Sequence, residues 1–171
     1  VLTRDGHRSW MEMIAANATM TTEHWYGTFG KGGTHTWSHP WSAAPARIIP
    51  QWLMGVRPLE RAWRRIAVHP QPGAKLTRAS MQVPTLRGEV AMSFARELAA
   101  GSAFMLNLTF PGNTLAEVCL PVALLAGTPS GGVAKVLVNG APVRTVVPNG
   151  RPGQLCIEGD LPGGTYNIVA Q

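Results

Sequence analysis

No apolar run in this sequence reaches the ~18 residues that a membrane-spanning helix needs. The longest candidate, VCLPVALLAG at 118–127, is short and interrupted by a proline. Acidic residues are scarce, nine Asp and Glu against fifteen Lys and Arg, which leaves a net charge of +6 on 171 residues. That excess invites a nucleic-acid reading. Its only dense group is Arg57, Arg61, Arg64 and Arg65, however, and no RNP-like, zinc-finger or helix-turn-helix pattern accompanies it. The group reads as a solvated or interface face, so neither a membrane nor a nucleic acid is an expected partner. Cysteine is limited to Cys119 and Cys156, which cannot build a metal site by themselves. They fit one disulfide if their strands are neighbours, and two buried free thiols at least as well, which leaves the compartment open. An initiator methionine and the basic-then-apolar layout of a secretory signal are both missing from VLTRDGHRSW. The expectation is a piece of something longer rather than a processed leader.

What is present divides in two. The chain is 45% apolar and 14% charged, the balance of a folded protein. All six tryptophans (Trp10, Trp25, Trp37, Trp41, Trp52, Trp63) lie in the first 63 residues. TTEHW at 21–25 and THTWSHPW at 34–41 crowd indoles, imidazoles and one carboxylate together. SWMEMIAANAT predicts a helix capped by Ser9, with Trp10, Met13 and Ile14 on one face. Thr, Gly, Ser and His dominate residues 19–41 and predict a long loop. A second helix is expected from about Ser42, with Ile48, Ile49, Trp52 and Leu53 as its stripe, Pro50 disturbing it and Gly55 at its end. Trp10, Trp52 and Trp63 read as packing residues.

From residue 64 the period becomes two: Ile66 and Val68; Val90, Met92 and Phe94; Phe104, Leu106, Leu108 and Phe110; Val118 and Leu120; Val136 and Val138; Leu155 and Ile157; Tyr166 and Ile168. HPQPG, PG, GG and NG punctuate these runs. The pattern predicts short strands in an antiparallel β-sandwich, making the chain α+β as a whole. Two helices cannot bury six indoles between them, so further helices are expected from upstream or from another chain.

SWMEMIAANATMTTEHW, TWSHPWSAAPARIIPQWLMGVRPLE and IAVHPQPGAKLTRASMQVPTLRGEV, with FPGNTLAEVCLP, VLVNG and GGTYNI more loosely, resemble the C-terminal part of the inverting α-L-rhamnosidases of glycoside hydrolase family seventy-eight. The resemblance implies that residues 1–57 are the last hairpin of a six-hairpin (α/α) barrel, the catalytic domain, and 58–171 a C-terminal β-sandwich. It implies Glu23 as the general base and His39 as a donor and acceptor to a rhamnose hydroxyl. Trp25, Trp37 and Trp41 would form a wall against the sugar's apolar face. Inverting glycosidases need a second carboxyl group ~6.5–9.5 Å away. None of the other carboxylates suits that role, and the family's general acid lies upstream. Activity is therefore expected only with the rest of the barrel, and the implied partners are a rhamnose-containing glycan and that barrel.

His35 and His39 are four apart, but on a loop and without a third ligand, so neither metal nor cofactor enters this reading. Two other functions compete. One is a non-catalytic subunit docking on a larger assembly through its Trp-rich face. The other is a sugar-binding sandwich, ranked last because Tyr166 is the only large polar-tipped aromatic of the β-half.

Overall fold

The structure is a computed structural model that describes residues 9–23, 38–73, 75–98, 103–121, 135–151 and 153–171. Trp25, Trp37, His24 and His35 lie outside the described residues, as does the side chain of Trp41. The chain divides into two compact units, Val1–Ile48 and Ile49–Gln171.

In the first unit, helix α1 spans Trp10–Ala15, and the Ser9 hydroxyl caps it by accepting from the Glu12 amide. A cap of this kind satisfies one of the orphan donors of the first turn. Asn17, at φ 54°, ends the helix in the left-handed region that Asn tolerates. Further along the chain, a 3₁₀ turn at Pro40–Ala43 leads into helix α2, Ala44–Ile48. The proline sits in the first turn, where its missing N–H costs nothing.

The second unit starts with a π-helical turn, Ile49–Leu53. Pro50 falls inside it, and the wider turn suits a segment in which one amide donor is missing. Gly55 follows at φ 78°, and a Cβ there would lie 2.0 Å from the carbonyl oxygen of His69. Only glycine allows the His69 amide to approach closely enough to donate to the Gly55 carbonyl.

Among the described residues ten strands follow: β1 Val56–Pro58, β2 Arg65–Val68, β3 Arg78–Thr85, β4 Gly88–Arg96, β5 Phe104–Leu120, β6 Val136–Val138, β7 Ala141–Pro142, β8 Thr145–Val146, β9 Leu155–Ile157 and β10 Leu161–Ala170. β5 is the central element. Its first half pairs antiparallel with β4 (Ala91↔Thr109, Phe94↔Leu106) and β10 (Thr109↔Thr165, Leu106↔Ile168). Its second half pairs with β2 (Ile66↔Ala116, Val68↔Val118) and finally with β9 (Cys119↔Cys156). The β2–β5 ladder is parallel, an exception to the all-antiparallel expectation.

Burial alternates as the sequence predicts in β4 and the first half of β5, whereas in β2, at Val118–Leu120 and in β9 successive residues are buried on both faces. Val90, Met92, Phe94, Phe104, Leu106, Leu108, Phe110, Val118, Leu120 and Ile168 are buried in one core, joined by Met54, Val56, Ile66, Val68 and Val136. Phe94 and Phe104 stack at 5.5 Å within it. The NG pair forms the β6–β7 turn, with Asn139 at φ 50° and Gly140 at φ 82°. That double positive φ is the hairpin geometry this dipeptide favours.

Two readings need correction. PG at 111–112 does not end a strand, because β5 runs through it. The partner strand has a register shift between Pro162 and Gly164, and Gly163 lets the two backbones meet. A Cβ on Gly163 would lie 1.9 Å from the Pro111 carbonyl oxygen. Trp52, expected to pack, is 51% exposed, and the Arg57 guanidinium sits 5.0 Å above its ring.

Candidate functional site

The segment selected from sequence is stitched together by backbone contacts. The His39 amide donates to the Thr21 carbonyl at 2.7 Å, and the Thr21 hydroxyl donates to the His39 carbonyl at 2.9 Å. The Ser42 hydroxyl donates to the Thr22 carbonyl, and the Trp10 indole N–H donates to the Ser42 carbonyl at 2.7 Å. Residues 21–23 and 38–42 therefore run side by side, tied to the start of α1, with Thr22 buried. Glu23 and His39 are both half-buried at this junction. A hollow of about 260 Å³ lies beside it, lined by Asn17, Met20, Thr22 and Ser38 among others. Glu23 and His39 are not among its described lining residues. Trp41 has its backbone in the 3₁₀ turn next to His39. Trp25 and Trp37 lie outside the described residues.

A second constellation, which the sequence reading did not select, is a charged cluster inside the second unit. Glu117 of β5 accepts from Arg65 Nη2 at 2.8 Å and from Arg151 Nη2 at 3.2 Å. Its Oε1 also lies 3.0 Å from His69 Nε2. That last contact is close but too poorly aligned to count as a hydrogen bond. Arg65 makes a bidentate pair with Asp160, at 2.8 and 3.0 Å.

On its other nitrogen, His69 faces Arg151 Nη1 at 3.1 Å and Arg57 Nη2 at 3.4 Å. Guanidinium groups can only donate, so Nδ1 must be the acceptor and the ring proton sits on Nε2, the nitrogen nearer Glu117. Burial, assisted by Arg151 and Arg57 and opposed by Glu117, lowers the His69 pKa from 6.5 to about 4. Burial pushes the Glu117 carboxyl up, but the Arg151 hydrogen bond, with His69 and Arg65 nearby, outweighs it and holds the group below its usual range.

The cluster thus contains an ionised carboxylate and a neutral imidazole. A carboxylate held ionised by guanidinium groups makes a poor proton donor near neutral pH, so Glu117 does not stand in for a general acid. His69, Glu117 and Cys119 converge to within 4.8 Å, as metal ligands would. Cys119, however, is disulfide-bonded to Cys156 and offers no thiolate. Two guanidinium groups on Nδ1 also oppose a cation. The geometry is that of a clamp, joining β1, β2, β5 and the segments before β9 and β10.

The signals for this cluster were present but faint. Glu117 interrupts an apolar run, LAEVCLP, and His69 sits in a stretch that reads as turn, HPQPG.

Residues 55–135 match the bacterial α-L-rhamnosidase C-terminal domain. An α-L-rhamnosidase of Formosa agariphila is 29% identical over 126 residues, 71% of this chain and 13% of the relative. One of Streptomyces avermitilis is 25% identical over 118 residues, 66% of this chain and 11% of the relative. The chain thus spans about an eighth of the length of the curated relatives it matches.

Among solved structures, the α-L-rhamnosidases of Dictyoglumus thermophilum (TM-score 0.77, 20% identity) and Aspergillus terreus (0.70, 22%) share the fold. Each match covers 99% of this chain, and 18% and 16% of those chains respectively. Residues 55–135 thus carry the rhamnosidase C-terminal domain, and the chain is similar to the C-terminal part of α-L-rhamnosidases.

Proposed function

We propose that this chain serves as the C-terminal part of an inverting α-L-rhamnosidase-like glycoside hydrolase. In this reading residues 1–57 close the helical-barrel catalytic domain and 58–171 form its terminal sandwich. The match of residues 55–135 to the rhamnosidase C-terminal domain carries the proposal. Glu23 is the general base: ionised, it takes a proton from the water that attacks the anomeric carbon. The stitching of Thr21 to His39 supports this role, because it brings the Glu23 and His39 segments to one place. His39 then hydrogen-bonds a rhamnose hydroxyl, and Trp25, Trp37 and Trp41 cover the sugar's apolar face.

The general acid and the remaining barrel helices come from outside this segment, and hydrolysis requires them. Apolar side chains left in the open on the first unit fit that arrangement: Ile14 is 66% exposed and Met20 57%. Helices of an incomplete barrel would leave such faces uncovered.

The test is Glu23→Gln in a parent protein that includes the barrel. Hydrolysis of a p-nitrophenyl α-L-rhamnoside is expected to fall by ~10²–10⁴-fold, with azide restoring part of it. Unimpaired hydrolysis would remove the base assignment.

A further inference from the structure

The solvent face of the sandwich is unusual for what it does not carry. Register places Ser80, Ser93, Asn107 and Asn167 in one row across β3, β4, β5 and β10. Gln82, Ala91, Thr109 and Thr165 form the next row. Together with Asn139 they line a hollow of about 610 Å³, within the ~300–1,000 Å³ usual for small-ligand sites. None of its lining side chains bears a charge at neutral pH, in a chain with fifteen basic and nine acidic residues. Solvent-facing positions ordinarily carry much of a protein's charge.

The rows are also ordered. Asn167 Nδ2 donates to Asn107 Oδ1 at 2.9 Å, and Asn107 Nδ2 points on to Ser93 Oγ at 3.4 Å. The Asn167 amide donates to Asn139 Oδ1 at 2.8 Å, and the Thr109 and Thr165 hydroxyls pair at 3.1 Å. This chain fixes which way the amides face, yet leaves capacity unused. Asn107 and Asn167 each keep an N–H, Asn167 keeps its carbonyl oxygen, and Ser93 keeps its hydroxyl proton. Side chains within a row repeat at the ~4.8 Å strand spacing, which reaches hydroxyls on alternate carbons of a pyranose ring.

We infer that this face binds an uncharged saccharide through its amide and hydroxyl rows. The match is one of charge: an uncharged polyol brings donors and acceptors but no ion to desolvate. A phosphate or uronate would find no cation here. A protein partner would find no Trp or Arg anchor among the lining residues, and the Tyr there, Tyr166, already donates to the Pro162 carbonyl and stacks on Phe110. The inference stands on residues 80–167 and requires nothing of Glu23. It also revises the low rank given to a sugar-binding sandwich, which was judged on aromatic platforms alone.

The test is a ¹⁵N–¹H titration of the full 171-residue chain, reading the side-chain amides of Asn107, Asn167 and Gln82. The probes are neutral rhamno-, gluco-, galacto- and xylo-oligosaccharides, with oligogalacturonate and inorganic phosphate as controls. At least one neutral saccharide should shift these signals saturably, with a Kd on the order of 1 mM. Asn107→Ala with Asn167→Ala should weaken binding at least ~10-fold, the equivalent of about 1.4 kcal/mol. Gln82→Arg, a change on an exposed edge-strand position that leaves the ladder intact, should weaken it too if the double variant fails to fold. Silence across all neutral saccharides would overturn the inference, as would equal shifts with oligogalacturonate. Concentration-dependent broadening of these amides without sugar would assign the face to a second copy of the chain instead.

Discussion

Glu117 and His69 hold opposite roles in one cluster, and acid should separate them. The native His69 pKa of about 4 lies below the unfolded value of 6.5, so the unfolded chain binds the extra proton first. Stability from His69 is complete above pH 6.5 and is lost as pH falls towards 4, by at most ~3 kcal/mol. Glu117, also depressed, adds a further loss below its usual 4.5. Thermal melts between pH 7 and 4 should therefore show a falling Tm that begins near pH 6.5. His69→Gln should flatten the upper part of that slope. Glu117→Ala should cost ~1–3 kcal/mol in denaturant melts, because Arg151 loses its carboxylate partner and Arg65 is left with Asp160 alone. The sequence disclosed this site poorly. Periodicity identifies the buried face of a strand, and Glu117 points the other way. Its partners are 48 and 52 positions upstream and 34 downstream, so nothing local announces them. Glu23, by contrast, stood out because its chemical neighbours are adjacent in the chain.

At the level of elements, the strands that alternate cleanly were the legible ones. β4, the first half of β5 and the β6–β7 hairpin follow from Val, Phe and Leu at period two and from Asn139-Gly140. β3 escaped notice because its inner residues, Ala79, Met81 and Val83, are a mixed set only partly buried. The continuity of β5 through Pro111 escaped as well, since it depends on Gly163, some fifty residues away. Gly163→Ala should cost more than ~3 kcal/mol, because the methyl group meets Pro111 backbone rather than a movable side chain. Cysteine count left pairing open, and register resolves it: Cys119 faces Cys156 across β5 and β9, and the two are bonded. Closing a 37-residue separation is worth about 4 kcal/mol on the chain-entropy scale. Cys119→Ser with Cys156→Ser should lower chemical-denaturation stability by roughly that amount without altering the β-type circular dichroism.

For the whole molecule, the two units differ in what each can bury. The described core, from Met54 to Ala170, the disulfide and the Glu117 cluster all fall within Ile49–Gln171. A segment with its own apolar core and its own cross-link satisfies the requirements of a domain. Residues 9–48 offer little in comparison: among the described residues there, Met13 is the buried large apolar side chain, while Met11, Ile14, Met20 and Ile48 are exposed. A unit this small buries too little of its surface to be more than marginally stable without a metal, disulfides or a partner. Residues 49–171 expressed alone should therefore retain a single cooperative calorimetric transition and a protected disulfide. Residues 1–48 alone should show no cooperative transition. Should 1–48 instead melt cooperatively by itself, its exposed helix faces would no longer call for barrel neighbours, and the proposal of a shared active site would lose that support. If 49–171 failed to fold while the full chain did, the sandwich would need the helical segment for its stability, and the boundary between the two units would be one of contacts rather than of folding.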